Sequence, residues 1–521
     1  MKLLTRYKSR LRGISDPQLL CLSMVIGALL RVCRLGSQSI WGDEALTLQV
    51  YAVGGSFREL LANIWDKAFH PPVYFVIIRY WIELGRSEFM LRFPSAVFGI
   101  AVIPIVYLIT RRFFRTGVPG IAALVVALSP FGLWYSQEAR MYSLQILLAG
   151  ACTLAFLRAW KTQKPADYGL YVLAALAGLY THIGMLLLVA GHGVFALGAA
   201  AGDRKRLLAW GIAIVIVLLG FAPWAANFLS AHRDIGGDSA IGFARNTGVS
   251  QLAYTLYTFS VGFSLGPSVS GLHFVSARSA VMSHLPAILL TATVFGILAL
   301  LGLMHASQAH RFGFWFLVCS FAVPVSIVAL ASLLPGFAVN ARYLTVAIIP
   351  FWIFVALGIH ASARIRGGFV LPLLAAGLVT ASARNYYLDP AYAKQDMRSA
   401  VALVTEKARL GDVIVISSVE IGGPFIYYFR RADVPYLGYP PRRGRVDPRR
   451  LPADMRRILH GKSRAWLVLG RTWSSDPHGL IPRYFSSRHK SLENRAFPGV
   501  MVLCYDLSRS PETTPIRRIH D

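Results

Sequence analysis

The chain has 521 residues, of which 55% are hydrophobic and only 15% are charged, whereas soluble domains carry roughly 25% charged residues. That deficit excludes an ordinary soluble enzyme. The net charge of +28 does not indicate a nucleic-acid partner, because many basic residues lie in short segments between apolar runs, as in membrane proteins. The five cysteines have no CxxC spacing, so neither a cysteine metal site nor a disulfide framework is expected.

Eleven apolar runs predict a polytopic α-helical membrane protein with about eleven spanning helices, because each run can cross a hydrocarbon core of roughly 30 Å. The first run is not followed by the small residues of a cleavage site, so it is expected to be retained. The predicted helices lie at 17–35, 93–110, 117–135, 141–157, 166–181, 183–202, 207–226, 285–304, 312–334, 343–361 and 367–383.

The connecting loops predict the orientation. Loops on one side hold 17 basic residues, whereas the short loops on the other side hold Arg140 and Arg342 only. Basic residues favour the cytoplasmic side. The N-terminus is therefore predicted to be cytoplasmic, with the long loops and the C-terminal domain on the periplasmic face of the cell inner membrane. The basic residues counted are Lys2, Arg6, Lys8, Arg10, Arg12, Arg111, Arg112, Arg115, Arg158, Lys161, Lys164, Arg204, Lys205, Arg206, Arg311, Arg364 and Arg366.

Two external segments interrupt the apolar runs. The first, 36–92, contains an apolar stretch at 71–85 that carries Arg79 and Glu83 and is too short to span, which predicts a helix lying at the outer surface. The second, 227–284, is rich in Gly and Ser and predicts a long, partly ordered loop of the functional kind.

The composition changes after about residue 384. Residues 384–521 hold 24 Lys and Arg against 13 Asp and Glu, with strand-like runs at 412–418, 465–470 and 500–507 and helical patterns at 395–409 and 448–461. Strands that alternate with helices predict a small α/β domain with a partly parallel sheet. The chain therefore divides into a transmembrane domain, 1–383, and a periplasmic α/β domain, 384–521.

Carboxylates are scarce in residues 1–383, which hold 12 acidic residues. Asp43 and Glu44 follow the first predicted helix, and Glu138 follows the third, so both sites are predicted to face the same side. A sugar transfer onto a hydroxyl needs a base for the acceptor proton, which an Asp or Glu can provide. The alternative is that Glu138 pairs locally with Arg140, and that Asp43 and Glu44 only mark an interface.

Basic and aromatic residues on the same predicted side are candidates for stabilising a departing phosphate. They are His70, Arg140, His182, Arg342 and Tyr343. Each has a plainer interpretation: His70 as a helix cap or surface residue, His182 as a structural histidine, and Arg342 with Tyr343 as an anchor in the aromatic belt. Arg31 and Arg34 are expected to snorkel outward from the first helix.

Several segments together resemble the GT-C superfamily of membrane glycosyltransferases. The similarity is to the bacterial branch of protein O-mannosyltransferases and to aminoarabinose and rhizobial lipopolysaccharide sugar transferases. It covers roughly the first 190 residues well and the rest loosely, and the 134–142 run is its most specific part. The matching pieces are Trp41-Gly42-Asp43-Glu44-Ala45, His70-Pro71-Pro72-Val73-Tyr74, Leu91-Arg92-Phe93-Pro94-Ser95-Ala96, Ser129-Pro130, Trp134 through Tyr142, Tyr180-Thr181-His182 and Arg342-Tyr343.

The resemblance implies a sugar donor linked to polyprenyl phosphate, used at the edge of the lipid bilayer. It implies a catalytic acid at Asp43, supported by Glu44, and a second acidic residue at Glu138. Tyr142, at the end of the 134–142 run, joins the substrate- and phosphate-binding candidates. Where aminoarabinose transferases have Lys before Pro-Pro, this chain has His70. The C-terminal domain does not match the lectin-like insert of the eukaryotic enzymes.

Two other classes of function stay open. A transporter or flippase for a lipid-linked sugar would have charged residues deep inside several helices, and a non-catalytic scaffold of envelope assembly would not need its carboxylates. The sequence identifies neither the sugar nor the acceptor, which is a glycan, a lipid or a protein of the envelope. A divalent cation, Mg²⁺ or Mn²⁺, is left open, because no complete ligand set is visible.

Overall fold

The structure is a computed structural model. It describes residues 15–48, 56–67, 70–114, 116–200, 202–234, 248–268, 271–272, 277–334, 337, 339–442 and 444–508. The basic residues predicted to precede the first helix, together with Arg115 and parts of the predicted 227–284 loop, lie outside these ranges.

The chain forms two compact units. The first comprises Met1–Gly36, Val50–Leu272 and Ser276–Asp389, and the second comprises Ser37–Gln49, His273–Val275 and Pro390–Asp521. The division at 383/384 stays a prediction. The second unit includes the segment that carries Asp43 and Glu44, which the sequence assigned to the membrane domain.

Helices dominate the first unit, and one is present at each of the eleven positions predicted to span. Over the described residues, six helices are long and apolar enough to cross a membrane, or seven if the bent pair Val118–Leu128 and Pro130–Ser136 is one span. Eleven spans are therefore not confirmed by length and composition. The helices are Asp16–Val32, Phe57–Lys67, Val73–Trp81, Glu88–Phe113, Val118–Leu128, Pro130–Ser136, Tyr142–Thr162, Pro165–Leu179, Met185–Ala199, Arg204–Asp234, Gly248–Val261, Ala277–Ser283, Leu285–Ala309, Arg311–Ala331, Ile348–Ser362 and Val370–Leu388, with a 3₁₀ helix at Ala341–Ala347.

The bent pair has a local cause at Ser129-Pro130. Pro130 has no N–H to continue the hydrogen bonding of the preceding helix, and the Ser129 hydroxyl accepts from Gly132 N at 3.2 Å to begin the next helix. The two helices meet at a bend of 53°. The bend turns the chain toward the 137–141 segment, which carries Glu138 and Arg140.

Arg31, on the first helix, donates hydrogen bonds to the backbone at this bend. Its guanidinium donates to the carbonyls of Val126 at 2.9 Å and Ala127 at 3.0 Å, and its side chain is buried. The prediction that Arg31 snorkels outward was therefore wrong, because the carbonyls exposed at the helix end need donors. Arg34 is exposed, as predicted.

The predicted external segments are more helical than the sequence suggests. Helix Val73–Trp81 lies inside the 71–85 stretch, and helix Phe57–Lys67 precedes it. In the 227–284 segment, the preceding helix continues to Asp234, and two more helices, Gly248–Val261 and Ala277–Ser283, follow.

A five-stranded sheet forms the centre of the second unit. In chain order the strands are β1 Asp412–Ile416, β2 Tyr436–Gly438, β3 Arg464–Gly470, β4 Lys490–Phe497 and β5 Val500–Asp506. Their order in the sheet is β2-β1-β3-β5-β4, with β1 parallel to β2 and β3, and β5 antiparallel to β3 and β4. The partly parallel sheet is confirmed, and strands β2 and β4 are additions to the prediction.

Apolar clusters cover both faces of the sheet. Met397, Val401 and Phe425 belong to one buried cluster, and Met455 and Phe485 belong to the other. Alternating inward side chains of the strands supply both clusters, as expected of a sheet between two helical layers. The helices of this unit are Gly42–Leu46, Met397–Lys407, Val419–Tyr428, Leu451–Leu459, Thr472–Ser475 and Leu480–Ser486, with a 3₁₀ helix at Pro390–Tyr392.

Candidate active site

The predicted catalytic and binding residues divide between the two units. Asp43 and Glu44 lie in the second unit, in the single helical turn Gly42–Leu46. The remaining predicted residues lie in the first unit, and they are His70, Glu138, Arg140, Tyr142, His182, Arg342 and Tyr343.

Glu44 is fully buried and ion-paired. Its carboxylate lies 3.3 Å from Nζ of Lys394, which is also buried, and it accepts from Trp41 N at 3.5 Å. The Lys394 ammonium lies 5.9 Å from the centroid of the Trp41 ring. A buried carboxylate is costly unless it is paired. The ion pair and the hydrogen bond of Glu44 therefore stabilise this turn.

Asp43 is only half-buried. Its backbone carbonyl accepts from the Thr47 hydroxyl at 3.2 Å, which continues the turn. Of the two adjacent carboxylates, Asp43 is therefore the one with surface available to another molecule. The assignment of Asp43 as the reacting group and of Glu44 as its support stays a prediction.

Backbone and side-chain bonds tie the preceding residues to the C-terminal part of the second unit. Ile40 N donates to the Tyr428 hydroxyl at 2.8 Å, and Arg398 N donates to the Ser39 hydroxyl, also at 2.8 Å. The Ser39 hydroxyl donates to Asp396 at 3.3 Å. These residues are more than 350 positions apart in the chain, so the bonds are tertiary.

In the first unit, Gln137 sets the position of the turn that carries Glu138. Its side-chain amide donates to the carbonyls of Leu30, Arg31 and Cys33 at 2.8–3.2 Å, and its Oε1 accepts from the Tyr386 hydroxyl at 3.0 Å. One amide group therefore links the end of the first helix to helix Val370–Leu388.

Glu138 and Arg140 are buried within this turn, with exposed fractions of 1% and 2%. The Arg140 guanidinium lies 2.9 Å from Nε2 of His70, and the Arg140 carbonyl accepts from the Ser95 hydroxyl at 3.2 Å. Arginine can only donate, so Nε2 of His70 is the acceptor. His70 is therefore neutral, with its proton on Nδ1.

His182 lies in the connection after helix Pro165–Leu179. Its Nδ1 accepts from Gly184 N at 3.0 Å, which again fixes a neutral tautomer. A backbone bond of 3.0 Å from Val73 N to the Tyr180 carbonyl joins this connection to the start of helix Val73–Trp81. The residues flanking His70 and His182 are thus held together.

Arg342 enters from the 3₁₀ helix Ala341–Ala347, which Asn340 caps by accepting from Arg342 N at 3.1 Å. The guanidinium lies over the Tyr142 ring, 5.5 Å from its centroid, and the Tyr142 ring contacts His182 edge-on at 5.9 Å. Tyr343 is partly exposed. Arg342, Tyr142 and His182 therefore form a continuous set of contacts.

The positive charges of the arginines change the pKa values of the two histidines. Burial, followed by the positive charges of Arg140 and Arg342, lowers the pKa of His70 well below its usual value. Burial, followed by the charges of Arg140 and Arg342, lowers the pKa of His182 to about 4. Both arginines therefore contribute positive potential at both imidazoles. The positive potential, together with N–H donors in a fixed fork, is suited to a phosphate group.

Sequence reasoning did not single out Gln137, Ser95 or Lys394. Ser95 lies inside a quoted motif and Gln137 lies in the most specific one, so the motifs were the available signal for both. For Lys394 the sequence offers no signal, because its partner lies at position 44. No group of three or more His, Cys, Asp or Glu side chains in the described ranges is arranged to hold a metal ion.

Comparison with known families finds a match to a family of mannosyltransferases. The profile of the dolichyl-phosphate-mannose-protein mannosyltransferases matches residues 69–226, a range that includes His70, Glu138, Arg140, Tyr142 and His182. A putative mannosyltransferase of Bacillus subtilis, YycA, is 24% identical over 242 residues, which are 43% of this chain and 34% of that protein. The chain therefore matches about a third of the length of this relative.

Solved structures share the fold over nearly the whole chain. ArnT from Cupriavidus metallidurans bound to undecaprenyl phosphate has a TM-score of 0.55 at 13% identity, covering 93% of this chain and 97% of ArnT. The oligosaccharyltransferase AglB from Archaeoglobus fulgidus, in complex with an inhibitory peptide and a dolichol-phosphate, has a TM-score of 0.53 at 13% identity, covering 94% and 74%. These structures show the fold, and the family profile at 69–226 agrees with the resemblance drawn from the sequence.

Proposed function

We propose that this chain is a membrane glycosyltransferase of the GT-C superfamily, and that it moves a sugar from a polyprenyl-phosphate carrier to an acceptor of the cell envelope, on the periplasmic face of the inner membrane. The observation that carries the proposal is the cluster of Arg140, Arg342, His70 and His182. Its positive potential and its guanidinium donors suit the phosphate that joins the sugar to its lipid.

In the proposed reaction, the acceptor oxygen forms a bond to the anomeric carbon while the bond from that carbon to the phosphate oxygen breaks. The electron pair of the broken bond leaves with the lipid phosphate, and the acceptor proton passes to a carboxylate. Asp43 is our candidate for that base, on the strength of its motif and its accessible surface. Glu138 is our candidate for a second acidic group that positions the acceptor.

Arg140 and Arg342 would stabilise the negative charge that grows on the phosphate as the bond breaks. His70 is neutral, so it would take part by donating from Nδ1 and by orienting Arg140, rather than as a permanent positive charge. Tyr142 would hold the Arg342 guanidinium in place, because a ring face attracts a cation. Tyr343, which is partly exposed beside Arg342, would contact the donor.

The deciding experiment compares the envelope glycans, lipids and glycoproteins of a deletion strain with those of the parent by mass spectrometry. We expect one sugar modification to disappear from the deletion strain and to return when the gene is supplied again. The lost mass names the sugar, and the molecule that carried it names the acceptor. The same loss with accumulation of the lipid-linked sugar on the cytoplasmic face, rather than on the periplasmic face, would instead support a flippase.

A further inference from the structure

The second unit holds the 41–45 motif (Trp-Gly-Asp-Glu-Ala) against the carboxyl edge of its sheet. The parallel strands β1 and β3 end at this edge, where they are followed by helix Val419–Tyr428 and by Arg471. Glu420 and Arg471 form an ion pair at 3.1 Å. A Cβ placed on Gly42 would lie 3.2 Å from the Glu420 carbonyl and 3.6 Å from the Arg471 guanidinium.

This edge is the place where open α/β sheets commonly bind their ligands. Here the crevice receives a segment of the same chain, contributed from more than 350 residues upstream. Glycine at position 42 permits the close approach, because a larger side chain would press on the Glu420 carbonyl. The α/β unit therefore binds the motif and fixes its position.

Lys394 makes a buried ion pair with Glu44 of the motif. Its ammonium lies 3.3 Å from Glu44, and both side chains are almost completely buried. Removing one partner of a buried pair leaves the other charge uncompensated. Glu44 in turn accepts from Trp41 N and occupies the same single helical turn as Asp43. A displaced Glu44 would therefore change the direction of the Asp43 side chain.

We infer that Lys394 is a positioning residue for Asp43 and that the C-terminal α/β unit is needed to place this carboxylate for the reaction. The inference rests on the proposed function, since it takes Asp43 as the base. Lys394 acts through Glu44 and does not itself need to touch the substrate.

The structural half of the inference is tested without any substrate. Hydrogen exchange is measured on the full-length protein in detergent, comparing the original chain with Lys394→Met, Lys394→Arg and the control Lys407→Met. Lys407 also pairs with a glutamate of the same unit, Glu493, but at the surface. We expect faster exchange at 37–48 in Lys394→Met only, with strands β1 and β3 unchanged. Unchanged exchange at 37–48 would overturn the inference.

The functional half is tested in the deletion strain, with product measured per amount of folded protein. A displacement of about 1 Å at a reacting group can cost about a hundredfold in rate, so we expect a loss of that order in Lys394→Met. Lys394→Arg, which keeps the charge, should restore part of it. Undecaprenyl phosphate binding to the purified variant should be unchanged, since the phosphate candidates belong to the first unit.

The two proposals fail in different ways. If Asp43→Asn keeps full product, Asp43 is not the base and the proposed mechanism is lost, whatever the exchange data show. If Asp43→Asn loses the product but well-folded Lys394→Met keeps it, the positioning role is overturned and the mechanism stands. Should Lys394→Met fail to fold, the exchanged pair Glu44→Lys with Lys394→Glu replaces it, and partial recovery of product is the expected result.

Discussion

The guanidinium of Arg140 lies 2.9 Å from Nε2 of His70, so a permanent cation and a neutral imidazole share one hydrogen bond. Their replacement should therefore have unequal effects on phosphate binding. Arg140→Met removes a charged donor and should weaken undecaprenyl phosphate binding by about ten- to a hundredfold. His70→Gln keeps an acceptor for Arg140 and should stay within about threefold of the original affinity.

The measurement is equilibrium binding of undecaprenyl phosphate to purified protein, at fixed ionic strength. Equal losses in the two variants would show that His70 contacts the phosphate as directly as Arg140 does.

Asp43→Asn should abolish the sugar product while the protein is made and folded normally, because the amide cannot accept the acceptor proton. The readout is the mass-spectrometric product in the deletion strain. Asp66→Asn is the matched control, since Asp66 is exposed on helix Phe57–Lys67 and should give full product. Full product in Asp43→Asn would remove Asp43 from the mechanism.

The contribution of Arg342 to phosphate binding should depend on the planar shape of its guanidinium as well as on its charge. Lysine lacks the planar fork and stacks less well on an aromatic ring, so Arg342→Lys should bind undecaprenyl phosphate more weakly than the original chain but more tightly than Arg342→Gln. Tyr142→Phe keeps the ring face and should resemble the original chain, whereas Tyr142→Leu should not. Equal binding by Arg342→Lys and Arg342→Gln would contradict a direct phosphate contact.

His182 should make stability depend on pH. Burial, followed by Arg140 and Arg342, lowers the pKa of His182 in the folded protein to about 4, below the unfolded value of about 6.5. Between these values the unfolded state binds more protons, so the stabilising contribution is complete above about pH 6.5 and is lost as the pH falls toward 4. The loss amounts to at most about 3 kcal/mol.

Thermal unfolding of purified protein between pH 7 and pH 4 measures this effect. His182→Asn keeps an acceptor for Gly184 N but does not titrate, so its stability should fall less steeply over the same interval. Parallel curves for the two proteins would show that His182 is not the titrating group.

Gln137→Leu should destabilise the first unit. The leucine preserves the volume but removes the donor to the carbonyls of Leu30, Arg31 and Cys33, and buried carbonyls without a donor are costly. We expect a loss of about 3 kcal/mol in the free energy of unfolding, read as a lower melting temperature. Gln163→Leu, at an end of helix Tyr142–Thr162, is a comparison in which fewer carbonyls lose a partner.

The sequence predicted the helices better than their ends and bends. Apolar runs locate helices because a membrane selects for them. The Ser129-Pro130 motif was recognised, yet the position of Arg31 was not, because its acceptors at Val126 and Ala127 belong to another helix. Snorkelling describes a side chain on a face that meets lipid, and the burial of Arg31 shows that its face of the first helix packs against the protein instead.

The sequence failed to predict two strands and the role of Lys394 for different reasons. Strand β4 is largely exposed and β2 has three residues, so neither produces the apolar alternation that identifies a strand. The contact between Glu44 and Lys394 leaves no local pattern at all. Asp43, Glu138 and Arg140 were chosen as candidates because carboxylates are scarce in residues 1–383 and basic residues are scarce in the short loops on the predicted outer side; their roles stay predictions.

The pairing of positions 44 and 394 has a consequence for biosynthesis. The motif that carries Asp43 emerges early, but about 350 further residues must be made before its partner lysine exists, which takes on the order of 20–70 s at the usual pace of translation. Until then Glu44 lacks its counter-charge and the sheet that receives the motif has not formed. A chain that ends before residue 394 would thus lack the lysine that pairs with Glu44. We expect such a chain to be inactive, because the segment that carries Asp43 would not be held in place.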